Sequence, residues 1–583
     1  MRLRDTIICL SCVLGAVVLL TAASSRLDSI SSTREQMGLV SNEPLENAPP
    51  SLAFATVAMG AFRGLVVDVL WMRADKLKEQ GQFFDAKQLA EWISILQPRF
   101  AAVWDVLAWN MAYNISVAIP ASQWEERWRW VRNGYELLRD KGIKKNPRRI
   151  ILYRALAYIF QHKIGGVTDD CHKHYKRELA LAMRGLLGDD PTNEYFQALL
   201  DAKRDLSEIM AEPDIAEFFA ALKEADEVFE DDDELVGNYL SLRQTPDRFG
   251  ESAFGVIDRF RGTDTLEKFD TFAKAYRLRN IWKLEPELMD RLNKNYGPYP
   301  SGDPNDRLPL NWEQANTHAI YWAELGFVTA GEQEEYSIDE KNTDRIISHA
   351  LQDLYRRGNL VVYPIPGRLP SVYSRPDLRM FEVCDRDWSK RIKKYEAFED
   401  GNPKGLRDGH RNFLKNAVID FYQTGKREKA GRVYQRLRKV YPRDEFKDDI
   451  HTWVKKKIVD EIEEIKIKDA TELTLMTLRD AYFSFAIRAD DEAFGKERWA
   501  REVYEIYQAK YSDEEWRRLD LPDFEMIRFM AFLDFMRDRF FPEHLRNSLL
   551  ARIRIERPQL FDRLQKQKDL FIQRSQQGQM QAP

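Results

Sequence analysis

Cysteine is scarce in this sequence, with four among 583 residues, at Cys9, Cys12, Cys171 and Cys384. The first two fall in an apolar N-terminal run, which leaves the body too few for a disulfide framework. Whether Cys171 and Cys384 pair stays open at this level. Catalytic signatures are also lacking: there is no phosphate-cradling Gly-rich loop, G-x-S-x-G elbow, H-E-x-x-H helix or dinucleotide fingerprint. Their absence favours a non-catalytic role over an enzyme, and no cofactor is implied. Nor is there an excess of positive charge. A formal net charge of -5 and a pI near 6.1 leave no whole-chain basic footprint, so nucleic acid is not an expected partner. The acidic run Glu230 to Glu234 has neither the alternating oxygen ligands nor the central Gly of a calcium loop, and reads as a solvated loop.

What is present begins with Ile7 to Ala23, an apolar stretch behind Arg2 and Arg4, at the short limit for crossing a bilayer. It reads as an uncleaved anchor, with a cleaved signal peptide as the other reading. Either way the basic end stays in the cytoplasm and the body is exported. Ser24 to Pro50 is a polar tether. Leu52 to Met72 resembles a second span, but Arg63 and Asp68 interrupt it and favour a buried helix.

The body is organised by helical hairpins. Leu70, Ala74 and Leu77, then Leu89, Ile93 and Leu96, recur three and four apart on either side of Gly81, and Pro98 ends the second run. Neither amphipathic helix buries its stripe alone, so the two pack antiparallel. Gly425, Ala430, Tyr434 and Pro442 repeat the spacing of Gly81, Ala86, Ala90 and Pro98. Trp104, Leu107, Ala108 and Met111 open another hairpin after Pro98. Tyr153, Leu156, Ala157 and Phe160 follow Pro147 in the same phase, and Ala315, His318, Ala319 and Trp322 follow Pro309, with Gly326 expected at the turn. The pattern resembles the tetratricopeptide (TPR) repeat, in which small residues let helix axes approach and Pro sets the next turn.

The stretches VLWMRADKLKEQGQFFDAKQLAEWISILQPRFAAVWDVLAWNMAYNISV and WEQANTHAIYWAELG resemble an uncharacterised bacterial family of membrane-anchored, TPR-like proteins. The resemblance covers residues 51–360. It implies a helical repeat body on an N-terminal anchor and carries no activity with it. The expected fold is therefore all-α, a TPR-like right-handed α-solenoid of helical hairpins behind a single N-terminal transmembrane helix. Its parts are an anchor or signal peptide at 1–24, a linker at 25–50, repeats at 51–300, a repeat region with Pro-rich loops at 301–407, a C-terminal helical region with a further hairpin at 408–572, and a disordered tail at 573–583. Tyr296 to Pro309 is the expected internal boundary, and VVYPIPG within the Pro-rich segment Leu360 to Arg379 reads as a short strand or extended arm.

Two constellations carry chemistry. Trp109, Trp124, Arg127, Trp130 and Tyr158 set aromatic faces beside guanidinium groups, a combination suited to holding a peptide or a sugar ring. His162, Cys171, His172 and His174 gather zinc or copper ligand types within one helix-loop-helix, against which stands the two-residue spacing of His172 and His174. Surface or capping histidines are the plainer reading of the second group. The expectation is a non-catalytic scaffold of the bacterial inner membrane, single-pass, its body on the periplasmic side, binding other envelope proteins. The alternative is a metal-dependent envelope enzyme or accessory factor using the His162/Cys171/His172/His174 cluster.

Overall fold

The computed structural model describes residues 63–189, 191–299, 306–331, 337–365, 368–398, 402–463, 467–510, 522–537 and 543–580. Their regular structure is helical apart from one two-stranded β-hairpin, so the fold is all-α in class. The expected anchor, the linker and residues 52–62 of the second apolar run lie outside the described residues. Among the described residues no helix is long and apolar enough to cross a membrane. The chain divides into two compact units, one ending at Pro98 and one starting at Arg99.

In the first unit, helices Arg63–Glu79 and Phe83–Leu96 form the expected hairpin. Gly81 adopts φ +74°, and the N–H of Gln82 donates to the Leu77 carbonyl at 2.9 Å. A left-handed residue at this place ends a helix by capping its last carbonyls. Gly425 does the same between helices Lys404–Gln423 and Arg427–Val440, with φ +80° and a 2.9 Å bond from Lys426 N–H to the Phe421 carbonyl. The two stretches aligned by sequence thus share one turn geometry. A third such turn joins Ile467–Ala486 to Asp490–Lys510, where Ala489 N–H meets the Ser484 carbonyl at 2.9 Å. Its left-handed residue is Arg488, at φ +63°, which hides the turn from any pattern keyed on Gly.

The second unit opens with helix Ala101–Trp109, extended by the π-helical segment Asn110–Ile115. Helix Trp124–Glu136 returns antiparallel to it and runs into a second π-helical segment, Leu137–Gly142. A Cβ at Gly134 would stand 2.9 Å from the Ala108 carbonyl oxygen and 3.0 Å from Ala112 Cβ, and one at Gly142 would stand 3.2 Å from Trp104 Cβ. Small residues bring these axes together, as the spacing predicts. Helix Ile150–Tyr158 and its π-helical extension Ile159–Ile164 come next, but they pack along Ala315–Ala330 from far down the chain. Gly326 is the reason. It lies inside that helix rather than at a turn, and a Cβ there would stand 2.8 Å from Tyr153 Cβ. The turn falls at Gly331, with φ +80°. The run of sequence-consecutive hairpins is therefore interrupted after residue 164.

From Ala315 onward, helices Ala315–Ala330, Ile338–Arg357, Phe381–Glu396, Lys404–Gln423 and Arg427–Val440 each pack on the one before. The expected boundary at Tyr296 to Pro309 does not divide the core. Tyr296, Tyr299, Leu310 and Trp312 belong to one apolar cluster running from Ala101 to Tyr507, and a smaller cluster spans Leu478 to Leu564. Asn293 Oδ1 folds the segment back by accepting from Leu310 N–H and Trp312 Nε1–H, both at 3.0 Å. Strands Asn359–Ile365 and Arg368–Arg375 pair antiparallel, so the described part of VVYPIPG, Val361 to Ile365, is a strand; the register shifts between Tyr363 and Ile365, around Pro364, which has no N–H to give. Asp232, Asp233 and Glu234 form the first turn of helix Asp232–Gln244 rather than a loop, where the helix dipole favours carboxylates. The last helix, Pro558–Met580, continues past residue 573, into the stretch expected to be disordered. Cys171 and Cys384 are both buried free thiols.

Candidate functional site

Three helices of the second unit each present a stripe of residues to one cleft of about 360 Å³. Ala101–Trp109 contributes Asp105 and Trp109, Ile150–Tyr158 contributes Arg154 and Tyr158, and Ile338–Arg357 contributes Asn342, Arg345 and His349. Spacings of three and four put each set on one helix face. The third helix is fastened to the second at two places. Gln161 Nε2–H donates to the Ile346 carbonyl at 2.9 Å, and Arg154 is ion-paired with Asp339.

One wall is aromatic. Trp109 stacks on Tyr113 with ring centroids 4.1 Å apart, and on Tyr158 at 6.0 Å. Tyr158 in turn stacks on His162 at 5.0 Å, and the Tyr113 hydroxyl lies 3.3 Å from His162 Nδ1. Tyr113 and His162 both sit in π-helical segments, the wider turns that recur at functional sites. Trp109 keeps 43% of its surface in solvent, an unusual outlay for so large an apolar side chain.

Burial raises the Tyr113 and Tyr158 hydroxyls above their ordinary range, so both rings stay neutral. It lowers His162, helped by the Lys163 charge, and lowers His349, helped by Arg345. Asp105 is raised by burial against the pull of Arg154. The cleft therefore combines neutral rings with one acidic side chain and two arginine side chains. It offers stacking, hydrogen bonding and ion pairing.

Of the residues singled out from sequence, Trp109 and Tyr158 meet in this cleft. Trp124, Arg127 and Trp130 do not. Helix Trp124–Glu136 turns its apolar stripe toward helix His172–Leu187, so Trp124 stacks on His174 at 4.7 Å with the Arg177 guanidinium 4.5 Å above its ring. Trp130 Nε1–H donates to Glu126 Oε1 at 3.0 Å. Arg127 is buried and structural: it donates to the Ile119 carbonyl and shares the buried Asp169 carboxylate with Lys163. Burial works to raise the Asp169 carboxyl, but the Lys163 hydrogen bond and charge, the Cys171 N–H and Arg127 together hold it below its ordinary value.

The metal expectation needs correcting on geometry. Each of its four residues has a different neighbour: His162 the two tyrosines, Cys171 the Ala121 carbonyl at 3.5 Å, His172 the Lys176 ammonium at 3.0 Å, and His174 the Trp124 ring. Among the described residues no three His, Cys, Asp or Glu side chains gather in a way that would hold a metal ion. Two residues apart on a helix, His172 and His174 point to different sides. Burial, then the Lys176 charge, bring His172 down to about 4, and burial brings Lys176 down to about 7.

Neither a family model nor a curated protein matches this sequence. The site is therefore read from its own chemistry. Sequence reasoning missed Asp105 and Arg154, although each lies four residues before an aromatic already singled out. It also missed the whole third wall, because nothing local ties Arg345 to Tyr158.

Proposed function

We propose that this protein is a membrane-anchored, TPR-like helical scaffold of the bacterial envelope. Its body lies on the periplasmic side of the inner membrane, and the Trp109–Tyr158 cleft holds a protein partner without catalysis. The observation that carries the reading is the exposed Trp109 in a cleft that also presents charged groups. An aromatic anchor site with polar groups around it is how a few residues supply most of a protein interface's affinity. The shared turns at Gly81 and Gly425 support a repeat origin, and the interruption after residue 164 makes the array a composite one. An N-terminal tether would keep the cleft at the membrane and raise the local concentration of whatever it collects.

The test is site-specific photo-crosslinking in native membranes. A benzophenone side chain in place of Tyr158 should give a discrete adduct that is lost when Trp109→Ala is added, while the same probe in place of the exposed Glu234 should not. Equal adducts from both positions, or none from Tyr158, would sink the reading. A periplasm-dependent reporter fused after Pro583 checks the side of the membrane.

A further inference from the structure

We infer that the cleft recognises an extended peptide segment in which an aromatic side chain is followed by an acidic one, the ring lying on Trp109 and Tyr158 and the carboxylate meeting Arg345. This rests on the scaffold reading above and names what the partner presents. Four observations converge on it. First, at about 360 Å³ the cleft is at the small end of ligand-sized sites, room for one or two side chains and not for the face of a helix. Second, the two arginines differ. Arg154 is paired with Asp339, whereas Arg345 is exposed and has no carboxylate partner among the described residues. An arginine fork that faces no carboxylate of the described residues, beside an aromatic wall, suits an incoming anion.

Third, the remaining polar lining offers acceptors as well as donors. Asp105 accepts, and the Asn342 amide does both. A polypeptide backbone supplies N–H and C=O in alternation and satisfies such a set. Fourth, the walls are held fixed. The Gln161–Ile346 and Arg154–Asp339 links brace two of the three helices, and stacking on Tyr113 braces Trp109, so little ordering is left for the ligand to drive.

The probe is acetyl-Gly-Phe-Glu-Gly-amide, titrated by calorimetry into the full chain in nanodiscs, beside its Phe-Gln and Ala-Glu counterparts. Wild-type protein should prefer Phe-Glu over each by about tenfold, the size of one charge-assisted hydrogen bond or one stacked ring. Arg345→Gln should remove the preference for Glu over Gln and leave the preference for Phe over Ala. Trp109→Ala should do the reverse. Arg345 is exposed, so its replacement leaves the fold intact, which an unchanged unfolding midpoint verifies. Binding that ignores the Glu-to-Gln change, absence of binding at millimolar peptide, or binding of a neutral oligosaccharide in place of the peptide would each overturn the inference. The crosslinking assay separates the two levels. An adduct lost in Trp109→Ala but kept in Arg345→Gln leaves the scaffold reading standing and removes the acidic requirement, whereas an adduct insensitive to both removes the scaffold reading itself.

Discussion

Replacing Asp169 with Asn is the sharpest perturbation of the body. Asp169 accepts from Lys163 at 2.5 Å and faces Arg127 at 3.4 Å, and the three side chains are only 5%, 3% and 8% exposed. Asparagine keeps the size and an oxygen for the Cys171 N–H, now bonded at 2.8 Å, but deletes the charge. Two buried cations are then left facing each other. Breaking a buried pair in this way costs about 3–5 kcal/mol. The relief comes from Lys163, whose ammonium burial already holds below its ordinary value.

The sign follows from proton counting. With Lys163 lowered further in the folded variant, the unfolded chain binds more protons over the window between the two pKa values, and stability rises with pH there. The deficit against wild type should be largest near pH 7 and shrink as pH climbs toward about 10, the ordinary lysine range. Urea unfolding followed by tryptophan fluorescence at pH 7 and pH 9.5 reads both quantities. A loss below about 1 kcal/mol, or a deficit equal at the two pH values, would refute the argument that these charges are buried and mutually dependent. The combined variant Arg127→Met, Lys163→Met, Asp169→Leu should recover most of the loss, since it leaves no charge stranded.

Other expectations are smaller. His318 is fully buried, its Nε2 3.0 Å from the Trp312 carbonyl, and burial brings it down to about 4. Its contribution is therefore complete above pH 6.5 and is lost as pH falls toward 4, about 3 kcal/mol in all; acid titration of His318→Gln should show a correspondingly shallower loss. Gly326→Ala should destabilise by about 1–3 kcal/mol through the Tyr153 contact, while Gly431→Ala, with open space around its Cβ in helix Arg427–Val440, should stabilise by up to about 1 kcal/mol; thermal unfolding of the pair compares them directly. Arg488→Gly should gain about 1 kcal/mol by relieving a left-handed backbone, and an unchanged midpoint would contradict that. Cys171 and Cys384, 1% and 0% exposed, should react with a thiol reagent only on unfolding and migrate identically with and without reductant.

Much of the fold was legible because its signals are local. The stripe Leu89, Ile93, Leu96 names a buried helix face by spacing alone, and Gly81 and Gly425 name their turns because a left-handed residue without a Cβ costs little there. Ala108, buried against Gly134, was visible as the small residue of a repeat. Arg488 was not visible, since the turn it occupies tolerates a side chain the pattern would reject. Trp109 and Tyr158 could be chosen from sequence as aromatic residues on inner helix faces. Trp124 and Trp130 looked the same and proved to be engaged within the body.

By itself, then, the sequence determined where helices run, which face each one buries, and where hairpins turn, because those properties depend on neighbours three to five residues away. Tertiary structure alone decided that helix Ile150–Tyr158 lies against Ala315–Ala330, that Gly326 is a contact point and not a turn, and that Arg345 and His349 line the same cleft as Trp109. The physical reason is that helix periodicity specifies an apolar face but not its mate. The mate is chosen by close packing, here by the missing side chain at Gly326 and by links such as Gln161 to Ile346, whose partners stand 185 residues apart.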